Sequence, residues 1–174
     1  MLFRSNSPYS AYSAFAGNPL LIDLNALVSE GDLQGSDLQM DFPVDQVAYD
    51  TVIPWKDGLL QRAAETFFRQ GHTSRMEEFW QFCDRTFWLH DYALFQTLKQ
   101  HYGGRPWHRW HRDLVRRDPT ALAKAAQQFG TEIGAHKYQQ WQFFRQWSAV
   151  RQAAAARGIA IIGDLPIFVA HDSC

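Results

Sequence analysis

The sequence predicts an α/β protein, in which a helical region rich in aromatic rings leads into the beginning of a sheet. The main observation is the short apolar run at 159–162, which has no polar face and is typical of a strand buried on both sides in a parallel sheet. A long helical pattern at 131–157 and a single glycine, Gly158, precede this run, as at a helix-to-strand junction. No earlier segment has the pattern of a central strand, so the sequence does not show which segments would pair with it.

Residues 1–58 contain too many helix-breaking residues for a long regular element. Residues 5–25 are rich in Ser, Pro, Gly and Asn, and they predict an ordered loop pinned by aromatic rings. Residues 29–58 are expected to remain irregular, because glycines and prolines recur up to Pro54 and Gly58. The first predicted helix therefore covers residues 59–70 and ends at Gly71.

Capping residues and apolar spacing predict the helices that follow. Ser74, with Glu77 three residues later, matches a capping box, and apolar residues then recur at spacings of three and four up to Gly103. The pattern does not decide between one helix and two helices that separate near Arg85. Asp118, followed by a proline, predicts another helix start, because the carboxylate can cap free N–H groups.

Composition excludes several classes of protein. The chain has 174 residues, 17 Lys+Arg, 18 Asp+Glu and 46% hydrophobic residues, which excludes intrinsic disorder and argues against a nucleic-acid partner. Its length suits a small domain or part of a larger protein. Because the chain has only two cysteines, we expect a reduced protein. It has no apolar run long enough for a membrane span and no signal-peptide pattern, so we expect a cytoplasmic protein without a membrane partner. No metal-ligand spacing, phosphate loop or dinucleotide fingerprint is present, so we expect neither a metal nor a cofactor.

Aromatic residues make up 15% of the chain, and two interpretations explain this excess. Aromatic side chains bury large areas, so the excess favours a core built from rings. A sugar-binding surface is the second interpretation, because the C–H face of a pyranose stacks on flat apolar rings.

Asp164 is the candidate functional residue that position alone suggests. It follows the predicted strand, and ligands gather at the carboxyl ends of parallel strands. A turn-capping aspartate before a proline explains the same residue equally well.

The basic and aromatic tract at 107–112 is the other unusual segment. Its histidines, together with His101, do not complete a recognised metal spacing. We expect its tryptophans to anchor a loop. The neighbouring pair Asp91 and Tyr92 is expected to pack and to form hydrogen bonds rather than to catalyse a reaction.

Long motifs in the chain closely resemble the amylomaltase-type 4-alpha-glucanotransferases of glycoside hydrolase family 77. They cover the chain from about residue 6 to residue 173, in the order Ser7-Pro8-Tyr9, Ser13-Ala14-Phe15-Ala16-Gly17-Asn18-Pro19, Asp91-Tyr92-Ala93-Leu94-Phe95, Gln140-Trp141-Gln142-Phe143-Phe144-Arg145-Gln146-Trp147 and Gly163-Asp164-Leu165-Pro166-Ile167-Phe168-Val169-Ala170.

The resemblance implies part of a (β/α)8 TIM barrel, near its third strand, with a large and mainly helical insertion subdomain. It implies transfer of α-1,4-glucan segments to the 4-hydroxyl of glucose or another glucan, by a retaining mechanism with two carboxyl groups about 5–5.5 Å apart. Matched residue by residue, Ser7, Tyr9 and Asp164 are expected to bind the glucan. The rings at 88, 92, 107, 110 and 147 are expected in the core of the insertion.

The same resemblance implies that the chain is an internal fragment. The family's nucleophilic aspartate and its acid/base glutamate belong to Arg-x-Asp and Glu-Asp segments, which the resemblance places beyond the third strand, after the last motif matched here. We therefore expect no catalytic residue in this chain and no activity of the chain alone. Residues 1–25 are predicted to form an active-site loop, residues 26–135 the helical subdomain, and residues 136–174 a barrel helix, the third strand and its loop. A non-catalytic glucan-binding module is the alternative.

Overall fold

The computed structural model describes residues 12–71, 73–163 and 171–174. One long helix, α7, lies at the centre of this part of the chain, and α2, α3 and α4 pack against it. The α-helices are α1 (Leu24–Ser29), α2 (Tyr49–Arg69), α3 (Ser74–Arg85), α4 (Leu89–His101), α5 (Arg112–Val115), α6 (Pro119–Gln128) and α7 (Gly130–Ala155), with short 3-10 helices at Pro19–Leu21, Gly35–Leu38 and Trp107–Arg109.

Helix α2 begins ten residues before the predicted start at residue 59, at Tyr49. The prediction treated Pro54 and Gly58 as helix breakers, but both lie inside the helix. Pro54 lies in the second turn, where it removes one N–H donor. Further along, α2 buries Leu59, Leu60 and Phe67 among other side chains, and this packing outweighs the local preference.

The start of α3 lies one residue from the predicted position. Thr73, rather than Ser74, is the N-cap: its backbone is extended, and its hydroxyl accepts a hydrogen bond from the N–H of Met76 at 3.3 Å. Both residues carry a hydroxyl group, so the sequence pattern could not distinguish them.

The aromatic middle of the chain forms two helices, which settles the question that the sequence left open. Helix α3 ends at Arg85, and α4 begins at Leu89 after Thr86 has left the helical conformation. Helix α4 ends before Gly103 and Gly104, whose φ angles are 61° and 76°. The predicted start at Asp118 is confirmed, because its carboxylate accepts a hydrogen bond from the N–H of Ala121 at 2.9 Å.

Two hydrophobic clusters among the described residues each include part of α7. The larger, here called the main core, joins α1, α2, α3 and the middle of α7, and includes Ile22, Leu27, Leu59, Leu60, Phe67, Phe79, Tyr138 and Trp141. The smaller, here called the minor core, joins α4, α6 and the start of α7, and consists of Ala93, Leu94, Leu98, Ala125 and Ile133.

The predicted strand at 159–162 is the main correction to the α/β fold class. Residues 159–162 form neither helix nor strand, and the described part of the chain is all helical. Ile162 is 95% exposed, whereas the sequence predicted burial on both sides. A strand forms by pairing with another strand, and no described segment offers that pairing. The barrel that the resemblance implies is therefore not visible in these residues.

Several of the described aromatic rings are buried, as composition favoured, and others are exposed. Tyr92 is buried, and the rings at 88, 107 and 110 are partly buried. Trp147 does not belong to either core, because 38% of its surface is exposed. None of the helices in the described residues combines the length and the apolar character needed to cross a membrane.

Candidate functional site

Ser7, Tyr9 and Asp164, the residues expected to bind a glucan, lie outside the described residues. The segments next to them are described: Tyr12 lies three residues after Tyr9, and residues 171–174 follow Asp164. These flanking segments therefore define the candidate site.

The two flanking segments meet directly. The N–H of Cys174 donates a hydrogen bond to the carbonyl oxygen of Tyr12 at 3.0 Å, and the Cys174 thiol lies 3.2 Å from the same oxygen. Residues that are 162 positions apart in sequence are thus paired through their backbones. The structure brings together the neighbours of the two motifs that carry the sequence-predicted site.

Lys99, near the end of α4, contacts both segments. Its ammonium group forms an ion pair with the carboxylate of Asp172 and lies 3.3 Å from the carbonyl oxygen of Arg105. The same Nζ atom lies 5.4 Å from the centre of the Tyr12 ring, within the range of a cation–π interaction. Lys99 is only 5% exposed, so these groups replace its hydration.

Asp172 links Lys99 to the loop after α4. Its second carboxylate oxygen accepts a hydrogen bond from the backbone N–H of Trp107 at 3.0 Å. The Trp107 indole N–H donates in turn to the carbonyl oxygen of His171 at 3.0 Å, and the two rings stack with a 17° angle between their planes. We call Lys99, Asp172, Trp107 and Tyr12 the Lys99 clamp.

The environment of the clamp keeps the Tyr12 phenol protonated. Burial raises the pKa of Tyr12 above its ordinary value, and the negative charge of Asp172 raises it further. The ring therefore stays neutral at physiological pH and can face the Lys99 cation without carrying a charge of its own.

Two glutamines of α7 hold the loop that follows Tyr12. The fully buried Gln140 accepts a hydrogen bond from the N–H of Gly17 at 2.8 Å and donates to its carbonyl oxygen at 3.0 Å. Gln146 forms the same pair of bonds with Asp23, at 2.7 and 3.2 Å. A side chain at position 17 would meet the Phe143 ring at 2.0 Å, which explains why a glycine suits this position.

The basic tract behaves as a structural loop, as predicted. The Trp110 indole N–H donates to the carbonyl oxygen of Arg105 at 3.0 Å, and its ring stacks on Tyr102 at 5.5 Å. No group of three or more His, Cys, Asp or Glu side chains among the described residues could hold a metal ion. Asp91 forms an exposed ion pair with Arg117 at 2.8 Å, and Tyr92 is buried with its ring edge-on to Trp88.

Sequence reasoning missed Lys99 as part of the site, and it gave Asp172 no role there. The one signal for Lys99 is its position in the apolar pattern of α4, directly after the buried Leu98. A charged residue there needs a partner, but its partner lies 73 residues away. Helical periodicity carries no information on contacts of that range.

Comparisons with known proteins agree with the resemblance. The family model for glycoside hydrolase 77, described as 4-alpha-glucanotransferase, matches residues 2–174. The 4-alpha-glucanotransferase of Thermus thermophilus is 44% identical over 169 residues, which cover 97% of this chain and 33% of that protein. The one from Synechocystis sp. is 43% identical over 171 residues, covering 97% of this chain and 34% of that protein.

Structural similarity supports the same relationship. The amylomaltase from Streptococcus agalactiae in complex with acarbose superimposes with a TM-score of 0.89 at 33% identity. The match covers 96% of this chain and 34% of the amylomaltase chain. The chain therefore spans about a third of the length of the relatives that it matches.

Proposed function

Because this chain belongs to the 4-alpha-glucanotransferase family, glycoside hydrolase 77, we propose that it forms the part of such an enzyme that binds the glucan and carries the helical subdomain. The reaction moves an α-1,4-glucan segment to the 4-hydroxyl of an acceptor glucose or glucan. The similarity to an amylomaltase bound to acarbose supports a ligand of glucan type. The family match over residues 2–174 supports the reaction class.

The glucan contacts that we propose are Ser7, Tyr9 and Asp164. The single observation that supports a shared site is the backbone hydrogen bond between Cys174 and Tyr12, because it joins the segments next to these residues. In this role the Tyr9 ring would stack on a sugar, while Ser7 and Asp164 would bind hydroxyl groups. Asp164 supports binding and is not the nucleophile.

The reaction itself needs two carboxyl groups that this chain does not supply. A retaining mechanism uses one carboxylate as nucleophile and a second carboxyl group as acid and then base, about 5–5.5 Å apart. We propose that both belong to the remaining barrel, and that the third strand forms at 159–162 when the other strands are present to pair with it. The 174-residue chain alone is then inactive.

The division of the chain and the location of the protein follow from the same proposal. Residues 1–25 form an active-site loop, residues 26–135 the helical subdomain, and residues 136–174 the barrel helix, strand and loop. Hydrogen exchange of the complete enzyme tests this division, which predicts that the amides of residues 26–135 exchange as a unit distinct from those of the barrel. The reaction takes place in the cytoplasm, which cell fractionation tests.

A hybrid enzyme tests the proposed function. Residues 2–174 of this chain replace the matching third of the Thermus thermophilus 4-alpha-glucanotransferase, to which they are 44% identical. Maltotriose is then incubated with the hybrid, and glucose and longer maltodextrins are measured. We expect both products from the hybrid and none from the 174-residue chain. A folded hybrid that produces neither would contradict the proposal.

Two substitutions in the hybrid test the proposed contacts. Tyr9→Ala and Asp164→Ala should each lower the transfer rate at least tenfold, because each removes a glucan contact. Tyr49→Ala and Asp45→Ala are matched controls, since both wild-type residues are exposed. Unchanged transfer in Asp164→Ala would return Asp164 to a turn-capping role.

The alternative, a glucan-binding module without catalysis, is tested with the same materials. Calorimetry of the 174-residue chain with maltoheptaose should show no binding if the site needs the rest of the barrel. Measurable affinity of the isolated chain, together with an inactive hybrid, would favour the binding module.

A further inference from the structure

We propose that Lys99 is a positioning residue, which acts by holding the two chain segments that flank the proposed glucan contacts. The inference rests on the proposed function, because it assigns a role to a residue next to that site. Its described contacts include Asp172 and the ring of Tyr12, and we place its effect at these two residues.

The burial of Lys99 is the first step in the argument. Its side chain is 6% exposed and that of Asp172 is 27% exposed, so the pair lies largely out of water. Removing a cation from water is costly, and a well-packed apolar residue in its place is often as stable or more so. A buried lysine among the apolar residues of α4 is therefore better explained by the geometry that it imposes than by stability.

The directions of the contacts are the second step. One carboxylate oxygen of Asp172 faces the Lys99 ammonium group, and the other accepts the N–H of Trp107. Asp172 is thus held from α4 and from the loop after it at the same time. The stacked pair of Trp107 and His171 restricts the adjoining residue as well.

The third step concerns the segment at the other end of the chain. The Lys99 cation faces the ring of Tyr12, and the carbonyl oxygen of Tyr12 accepts the N–H of Cys174. One side chain therefore contacts the described ends of both segments. Tyr9 is three residues from Tyr12, and three extended residues span at most about 11 Å, so a displacement of Tyr12 reaches Tyr9 directly.

The hybrid enzyme described above provides the test, with maltotriose as substrate. Lys99→Met removes the positive charge and keeps most of the length of the side chain. Asp172→Asn removes the negative charge and keeps the shape of the side chain. We expect each to raise the KM for maltotriose at least fivefold, with a smaller change in kcat, because the proposed binding residues lose their alignment. Lys99→Arg keeps the cation and should restore at least half of the lost kcat/KM.

The double variant separates positioning from a general loss of stability. If Lys99 acts through Asp172, then Lys99→Met combined with Asp172→Asn should have the effect of one substitution on KM, not the product of both. Arg62→Gln is the control, because it breaks an ion pair with Asp37 that joins α2 to the 3-10 helix at Gly35–Leu38. It should leave KM unchanged.

Each outcome has one meaning. An unchanged KM in Lys99→Met and Asp172→Asn, assayed well below the unfolding temperature, overturns the positioning role but leaves the proposed function intact. An inactive unsubstituted hybrid contradicts the proposed function instead. In that case hydrogen exchange of the Cys174 amide in the 174-residue chain tests the clamp: Lys99→Met should speed this exchange at least fivefold, and equal rates overturn the inference.

Discussion

Two clusters of largely buried charges are found in the described part of the chain, and they differ in what they connect. The first, here called the carboxylate network, consists of Glu30, Asp32, Arg75, Tyr138, Gln142 and Arg145 and lies beside the main core. The second is the Lys99 clamp, which lies next to the minor core. The carboxylate network joins helices to one another, whereas the clamp joins a helix to the two segments that flank the proposed site.

The carboxylate network leaves few of its polar atoms unpaired. The carboxylate of Asp32 accepts hydrogen bonds from the Arg75 guanidinium group, at 3.0 Å for one contact, and from the Tyr138 hydroxyl at 2.6 Å. Glu30 pairs with Arg75 at 2.6 Å and with Arg145 at 2.8 Å. Burial, followed by the bond to Asp32, raises the pKa of Tyr138, so this hydroxyl stays a donor.

The two clusters differ in the number of contacts that hold them and in the size of the core beside them. The two arginines of the network also lie over aromatic rings, with the Arg145 guanidinium 4.6 Å from the centre of Trp141. The clamp has one cation and one carboxylate, and the core beside it is small. We infer that the main core and its network carry most of the stability of this region, and that the clamp sets geometry. The following four predictions test this difference, beginning with the largest effect.

Asp32→Asn should cause the largest loss of stability. It removes the charge of the fully buried carboxylate among the two that pair with Arg75, and breaking a buried ion pair costs about 3–5 kcal/mol. Urea unfolding of the chain measures this change. Asp91→Asn, in an exposed ion pair with Arg117, should cost at most about 1 kcal/mol. Equal losses from the two substitutions would show that the network does not stabilise the main core.

Matched leucine truncations compare the two cores directly. Leu60→Ala in the main core should cost about 4 kcal/mol, whereas Leu98→Ala in the minor core should cost about 2 kcal/mol, because the smaller cluster can collapse more easily around the cavity. The free energies of unfolding come from the same urea titrations. A larger loss from Leu98→Ala would reverse our comparison of the cores.

His136 on α7, the helix that both cores share, predicts a pH dependence of stability. Burial lowers its pKa to about 4, whereas the unfolded chain protonates it near 6.5. Between these values the unfolded state binds more protons, so stability should fall as the pH falls, by about 1.4 kcal/mol per pH unit. The stability that neutral His136 contributes is complete above pH 6.5 and is lost towards pH 4.

His136→Gln removes this titration and should flatten the stability profile over the same pH range. His108→Gln is the control, because the wild-type side chain is exposed. Thermal unfolding measured in half-unit steps of pH shows the difference. A profile that keeps its slope in His136→Gln would assign the dependence to another group.

Substitutions of helix caps should have the smallest effects on stability, and one such cap lies beside each core. Thr73→Ala at the start of α3 and Asp118→Ala at the start of α6 should each cost about 1 kcal/mol, because each leaves a helix N–H without its acceptor. Ser74→Ala should cost almost nothing. Hydrogen exchange shows whether Thr73→Ala loosens α3 alone and Asp118→Ala loosens α6 alone. Uniform loosening of all helices would mean that the two cores unfold as one unit.

Local signals predicted several helix ends but not all of them. The start of α6 at Pro119 agrees with the sequence, because the Asp118 carboxylate caps the helix and proline suits its first turn. Helix α7 begins at Gly130, one residue before the predicted position. The start of α2 was wrong by ten residues, since burial of its later turns outweighs Pro54. The strand at 159–162 was wrong for the described residues, because strand pairing depends on segments elsewhere.

The residues of the candidate site also fall into two groups, those that the sequence predicted and those that only the structure revealed. Ser7, Tyr9 and Asp164 were found through motifs, and they lie outside the described residues. Lys99 and Asp172 were found only in the structure, because a lysine in an apolar helix gives no indication of which carboxylate it meets. Trp147 was expected in a core and is partly exposed, because periodicity assigns a residue to a helix face without showing whether anything covers that face.

By itself, the sequence determined the family, the helical character of the middle of the chain and the residues that begin or end several helices. These properties depend on motifs and on neighbours within a few residues. The tertiary structure alone decided which charges are buried together: Asp32 with Arg75, and Lys99 with Asp172. Asp91 resembles these carboxylates in sequence, yet it lies on the surface. The physical reason is that desolvation and ion pairing depend on contacts between residues distant in sequence, and only the tertiary packing of the chain creates those contacts.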